Sequence, residues 1–93
     1  MLLTVAELKD LVVEIATRRF GVGEFRRRPL LLAVEAHILE NGAWTPSDDE
    51  PRSSGGLKSE GEGAIDWAIT RLLREGRLVD LGRDRWRLPA SQP

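Results

Sequence analysis

Arginines occupy positions in this chain where guanidinium groups can do recognition chemistry. Arg71 and Arg74 stand three residues apart and share their neighbourhood with Trp67 and Thr70, a spacing that puts all four on one face of a helix. Such a face carries what a DNA major groove answers to. Arginine can donate two hydrogen bonds to guanine, and the threonine methyl can meet that of thymine. Arg83 and Arg85 lie at and beside a Gly-Arg-Asp turn, within reach of phosphate or a minor groove. Arg26, Arg27 and Arg28 are consecutive, so they cannot all point one way, and phosphate contact and a solvated turn both stand as readings. The bland alternative for the other arginines is a solvent-facing set paired with Asp66, Glu75, Asp80 and Asp84.

Catalytic chemistry finds no such footing. His37 is the single histidine and sits in an apolar segment with no nucleophile paired to it. Cysteine is absent, which removes disulfides and thiolate zinc sites and fits a reducing cytoplasm. Gly21-x-Gly23, Gly55-Gly56 and Gly61-x-Gly63 lack the spacing and the following Lys-Ser/Thr of a phosphate loop. Asp48, Asp49 and Glu50 are adjacent, so on a helix they diverge; they suit a solvated helix start better than a cation site. No enzyme, cofactor or metal is expected.

The elements that must position the arginines are legible from periodicity. Ile65, Ala68, Ile69, Leu72 and Gly76 recur at three- and four-residue intervals and form an apolar stripe opposite Trp67, Thr70, Arg71 and Arg74. Gly76 closes this helix, which begins near Ser59, and Arg74 complements its dipole. Leu78, Val79 and Leu81 then read as one strand, Gly82-Arg83-Asp84 as a turn, and Trp86 and Leu88 as a return strand with Arg85 and Arg87 alternating. A hairpin this short must fold its apolar side onto the helix.

Trp67-Ala68, Leu72, Gly76, Leu78 and Trp86-Arg87-Leu88, taken in that order, resemble the end of the N-terminal winged-helix domain of Mrr-type restriction enzymes. The resemblance covers roughly the last third of the chain, and the leucine-glycine-leucine part is shared by many winged helices. It implies a DNA-targeting module. The nuclease part of such enzymes has no counterpart in these residues, so cleavage is not expected.

Upstream, Thr4 and Glu7 make a capping box ahead of Val5, Leu8, Leu11, Val12, Ile15 and Ala16, an amphipathic helix to about Phe20. Gly21-Val22-Gly23 breaks it, and Glu24 to Arg28 is a charged link or the start of the next helix. Pro29 suits a first helical turn, and Leu30 to Leu39 is apolar on nearly every side, which predicts a buried central strut ending at Asn41-Gly42. Thr45-Pro46 followed by acids opens a third helix, the positioning helix of a helix-turn-helix. Pro51 and the run Arg52 to Gly56 interrupt it, so the positioning helix is short, degenerate or absent, which counts against base-specific reading.

Length bounds the rest. The chain's 93 residues fit one domain, and 41% apolar content excludes a disordered chain while no run is long enough to span a membrane. The absence of a basic leader predicts no export. A net charge of −1 argues against binding nucleic acid by bulk electrostatics, but the charge is unevenly spread. Residues 18–28 carry a balance of +4, residues 64–88 of +2 and residues 47–63 of −3. The expectation is a mainly α fold with a small β-hairpin: a single winged-helix domain over residues 1–89, with an extra N-terminal helix, a two-stranded wing, a flexible loop at about 47–60 and a tail at 90–93. Its leading function is binding to double-stranded DNA, regulatory or DNA-targeting. The alternative is a protein-interaction or dimerisation module without DNA binding, centred on Trp67, since an uncovered tryptophan marks an interface. Homodimerisation through the first helix fits either. Trp44 and Trp86 are expected in the core or at its edge.

Overall fold

The computed structural model describes residues 1–51 and 58–89. Residues 52–57 of the loop expected at about 47–60, and the tail at 90–93, lie outside them, whereas the rest of that expected loop is ordered in a 3₁₀ turn and a bridge.

Helix α1 spans Val5–Phe20 and begins with the capping box expected of it. Glu7 N donates to Thr4 Oγ1 at 3.1 Å and Thr4 N to Glu7 Oε1 at 2.9 Å, so two end amides are satisfied reciprocally. Leu8, Val12, Ile15 and Ala16 are buried, while Val5, expected on this stripe, lies in the first turn and is exposed. Strand β1, Phe25–Arg26, and helix α2, Arg27–Glu40, follow directly, so the charged link divides between a strand and a helix start. Helix α2 buries one stripe only, Leu30, Leu31, Val34 and Ile38; Leu32 and Leu39 face outward. It is therefore a flank of the core rather than an all-round buried strut, because it packs on α1 and α3 but has nothing on its outer side among the described residues.

The third expected helix is a single 3₁₀ turn, Pro46–Asp49. Thr45 N donates to Asp48 Oδ2 at 2.8 Å, and Asp48 is buried beneath the amino group of Met1, 2.9 Å from Oδ2. Beyond it, Pro51 bridges to Ser59, and Glu60 N donates to Glu50 O at 2.8 Å, closing the connection at its base.

Helix α3, Glu60–Arg74, starts at Ser59, whose Oγ accepts from Glu62 N at 3.2 Å. Ile65, Ala68, Ile69 and Leu72 are buried as the spacing predicts. Gly76 lies just past the helix with φ +76°, and its exit is fully hydrogen-bonded: Arg77 N reaches Leu72 O at 2.9 Å and Gly76 N reaches Leu73 O at 3.3 Å. Only a residue tolerant of positive φ fits there, which accounts for the glycine.

Strands β2, Val79–Gly82, and β3, Arg85–Arg87, form the expected hairpin. Its tip is Arg83-Asp84, both at positive φ, 54° and 59°. The sheet has three strands rather than two, in the order β1-β3-β2 and antiparallel throughout. Phe25 sits opposite Trp86, and both rings are buried. Pairing satisfies the outer edge of β3 while sinking Phe25 into the core, and the Phe25 ring stacks on Phe20 at 4.8 Å. Helix α1, expected as an addition, packs on both α2 and α3 and is one of the bundle's three α-helices among the described residues. Helices, sheet order and hairpin together make a shape compatible with winged helix-turn-helix folds.

Gly61 has a packing reason that its low helix propensity hides. A Cβ there would lie 2.7 Å from Trp44 Cζ2, and the indole is held by its Nε1 donating to Asp49 Oδ1 at 3.0 Å. Gly61→Ala should therefore destabilise the fold by about 1–3 kcal/mol in urea unfolding, despite a propensity gain of about 1 kcal/mol. In a Trp44→Ala background the same substitution should stabilise it.

Candidate nucleic-acid interface

The buried stripe of α3 decides which side chains its other face presents. Trp67 is 44% exposed, and Thr70, Arg71 and Arg74 are exposed with it. Arg71 lies over Trp67, its Cζ 4.7 Å from the ring centroid, a cation–π contact that limits where the guanidinium can go. Thr70 Oγ1 donates to Asp66 O at 3.1 Å, which occupies the hydroxyl proton of an exposed side chain. Neither Arg71 nor Arg74 has an ion pair among the described residues.

Asp66, one of the four acids that the bland reading paired with the arginines, is engaged elsewhere. Its Oδ1 accepts from Arg27 Nε at 2.9 Å, its Oδ2 accepts from Lys58 Nζ at 2.6 Å, and Arg27 Nη2 closes a second contact. Burial raises the Asp66 carboxyl pKa, but the hydrogen bonds and charges of Arg27 and Lys58 outweigh it and hold the group below the usual carboxylate range. Arg27 thus ties the first turn of α2 to α3, whereas Arg26 and Arg28 on either side of it are exposed. Glu75 is held mainly by Lys9, whose Nζ donates at 2.6 Å and lowers the Glu75 pKa, with smaller through-space contributions from Arg77 and Arg71. Asp80 accepts from Gly82 N at 2.8 Å inside the hairpin.

At the sheet, Arg83 is exposed at the hairpin tip and Arg85 is half-buried behind it. Arg85 stands directly opposite Arg26 across β1 and β3. Like charges in that position repel, and Glu24 offsets part of that: Arg85 Nη1 forms an ion pair with Glu24 Oε2 at 3.5 Å, while Arg85 Nε is buried without a partner among the described residues. The structure therefore brings together Trp67 with Arg71 and Arg26 with Arg85, and it diverts Arg27.

The start of α3 has the opposite sign. Burial pushes the Glu35 carboxyl pKa up, and repulsion from Glu62 and Asp49 adds to it against the attraction of Arg28. Periodicity along one element could not show this acidic group or the Lys58–Asp66–Arg27 tie, since their members come from separate elements. Trp67 also borders an apolar depression of about 250 Å³ whose walls include Leu3, Val5, Leu8 and Ala64. No group of three or more metal-ligating side chains lies together among the described residues, and no helix there is long and apolar enough to cross a membrane.

No protein-family model, curated protein or solved structure matches the chain.

The depressed Asp66 pKa gives a signed expectation. Its contribution to stability is full above the unfolded value of about 3.9 and is lost as pH falls through the lower folded value. Asp66→Asn should cost about 1–3 kcal/mol at pH 7 by urea unfolding. The gap between variant and parent should narrow as the pH is taken below about 4, where the parent carboxyl is itself neutralised.

Proposed function

We propose that this chain is a DNA-binding winged-helix module that meets a duplex with the C-terminal half of α3 and the basic edge of its sheet, and that it has no catalytic role of its own. One observation carries the reading. Asp66 is held by Arg27 and Lys58 and Glu75 chiefly by Lys9, which leaves Arg71 and Arg74 exposed without ion pairs among the described residues. Arg71, steadied on Trp67, and Arg74 are the base readers, with Thr70 beside them. Arg83 at the wing tip, Arg28, and the opposed pair Arg26 and Arg85 take backbone phosphate, which relieves the repulsion between those two. The acidic start of α3 keeps that end off the phosphates, so the helix enters by its far half. The resemblance of the last third of the chain to the N-terminal domain of Mrr-type restriction enzymes agrees with a DNA-targeting role.

A second reading has its own observation. Trp67 stands half-exposed at the rim of an apolar depression, the arrangement of a protein interface, with dimerisation as its simplest form.

Fluorescence anisotropy separates the two. A duplex complex should form at about 50 mM salt and weaken steeply by about 200 mM. Arg71→Ala combined with Arg74→Ala should weaken it about 10–100-fold with an unchanged melting temperature. A complex indifferent to the double variant, or none at low salt, would sink the DNA reading; loss of self-association in Trp67→Ala would then establish the other.

A further inference from the structure

We propose that the groove between α1 and the outgoing end of β3 binds a small apolar carboxylate, with Arg87 holding its head group. The groove has a volume of about 640 Å³, within the range of sites that enclose small molecules. Val13 of α1, Val22 of the following turn, and Leu88 and Pro89 beyond β3 give it apolar walls. Val22 is 99% exposed at its rim, an uncovered side chain next to an apolar cleft. Thr17 also lines it, with its hydroxyl already donating to Val13 O at 2.8 Å.

Charge decides the occupant. None of the lining residues is acidic, and two are arginines. Arg77 is neutralised by Asp10, its Nη2 donating to Oδ1 at 2.9 Å. Arg87 has no such partner: its Nη1 donates to the carbonyl of Leu88 at 3.1 Å, and no carboxylate forms an ion pair with it among the described residues. An apolar cleft with one uncompensated planar cation is complementary to a monoanion on an apolar body, and a carboxylate can accept two parallel N–H bonds from one edge of a guanidinium. A cation is repelled, and an inorganic anion leaves the walls unused. The lining includes no residue of the exposed α3 face, so this site is independent of the DNA reading.

The test is an amide chemical-shift titration of the intact chain with octanoate, 1-octanol and octyltrimethylammonium, all below their micellar concentrations. Shifts should centre on Val13, Thr17, Val22 and Leu88, with octanoate at least about tenfold tighter than the alcohol and the ammonium weakest. Arg87→Gln should reduce octanoate to the level of octanol while leaving octanol unchanged. Val22→Glu, at a side chain that makes no buried contact, should weaken octanoate in a chain that is still folded. Equal affinity for the three head groups, shifts centred elsewhere such as the depression beside Trp67, or no shifts at all would overturn the proposal.

Discussion

Burial of the α3 stripe governs the rest of the molecule. Ile65, Ala68, Ile69 and Leu72 are each at most 1% exposed, and α1, α2 and the 3₁₀ turn all pack on this helix. Each of the larger side chains contributes about 1.5–3 kcal/mol on burial, more than a surface ion pair supplies. The rotation of α3 about its axis is therefore set from inside. Its outward residues have no separate freedom: Trp67, Arg71 and Arg74 face solvent because the opposite face is committed. The Asp66 tie to α2 and the seat of Trp44 on Gly61 refine a position that the apolar stripe has already chosen.

That dependence explains what could be read from the chain alone. The capping box of α1, the stripe of α3, its glycine exit and the hairpin turn are local patterns, written within a few residues of where they act. Strand β1 is not local. Two residues have no period, and the pairing of Phe25 with Trp86 joins positions far apart in sequence. The apolar run of α2 misled for a related reason: composition predicts that Leu32 and Leu39 want burial, but only neighbouring elements decide whether anything is there to bury them. Among the site residues, the outward face of α3 was legible from spacing. The capture of Arg27 by Asp66 was not, since the guanidinium and its acid lie on different helices, and Lys58 lies before α3 begins, where periodicity has no hold.

Formal charge says little about a chain so divided. A net value near zero conceals a helix whose start is grouped with Glu62, Glu35 and Asp49 and whose end carries Arg71 and Arg74. The internal ion pairs deepen the division. They consume Arg27, Lys58, Lys9, Asp66 and Glu75 in holding elements together, so the charges left outward are not a sample of the composition. Opposed Arg26 and Arg85 show the same principle in the sheet, where a fold set by Phe25 and Trp86 places two cations side by side as a by-product.

The hairpin tip carries a different lesson. A two-residue turn with both residues left-handed is the place for asparagine and glycine, which adopt that backbone at little cost, yet Arg83 and Asp84 stand there. Asp84 enters this region at reduced cost, as aspartate does, but Arg83 holds a conformation disfavoured by roughly 1 kcal/mol or more for a residue with an ordinary side chain. A sequence chosen for stability alone would drop the arginine side chain at this point. The tip is thus a site where thermostabilisation and surface chemistry pull apart, and stability-driven redesign of the turn would erase the charge at the hairpin tip while making the protein harder to melt.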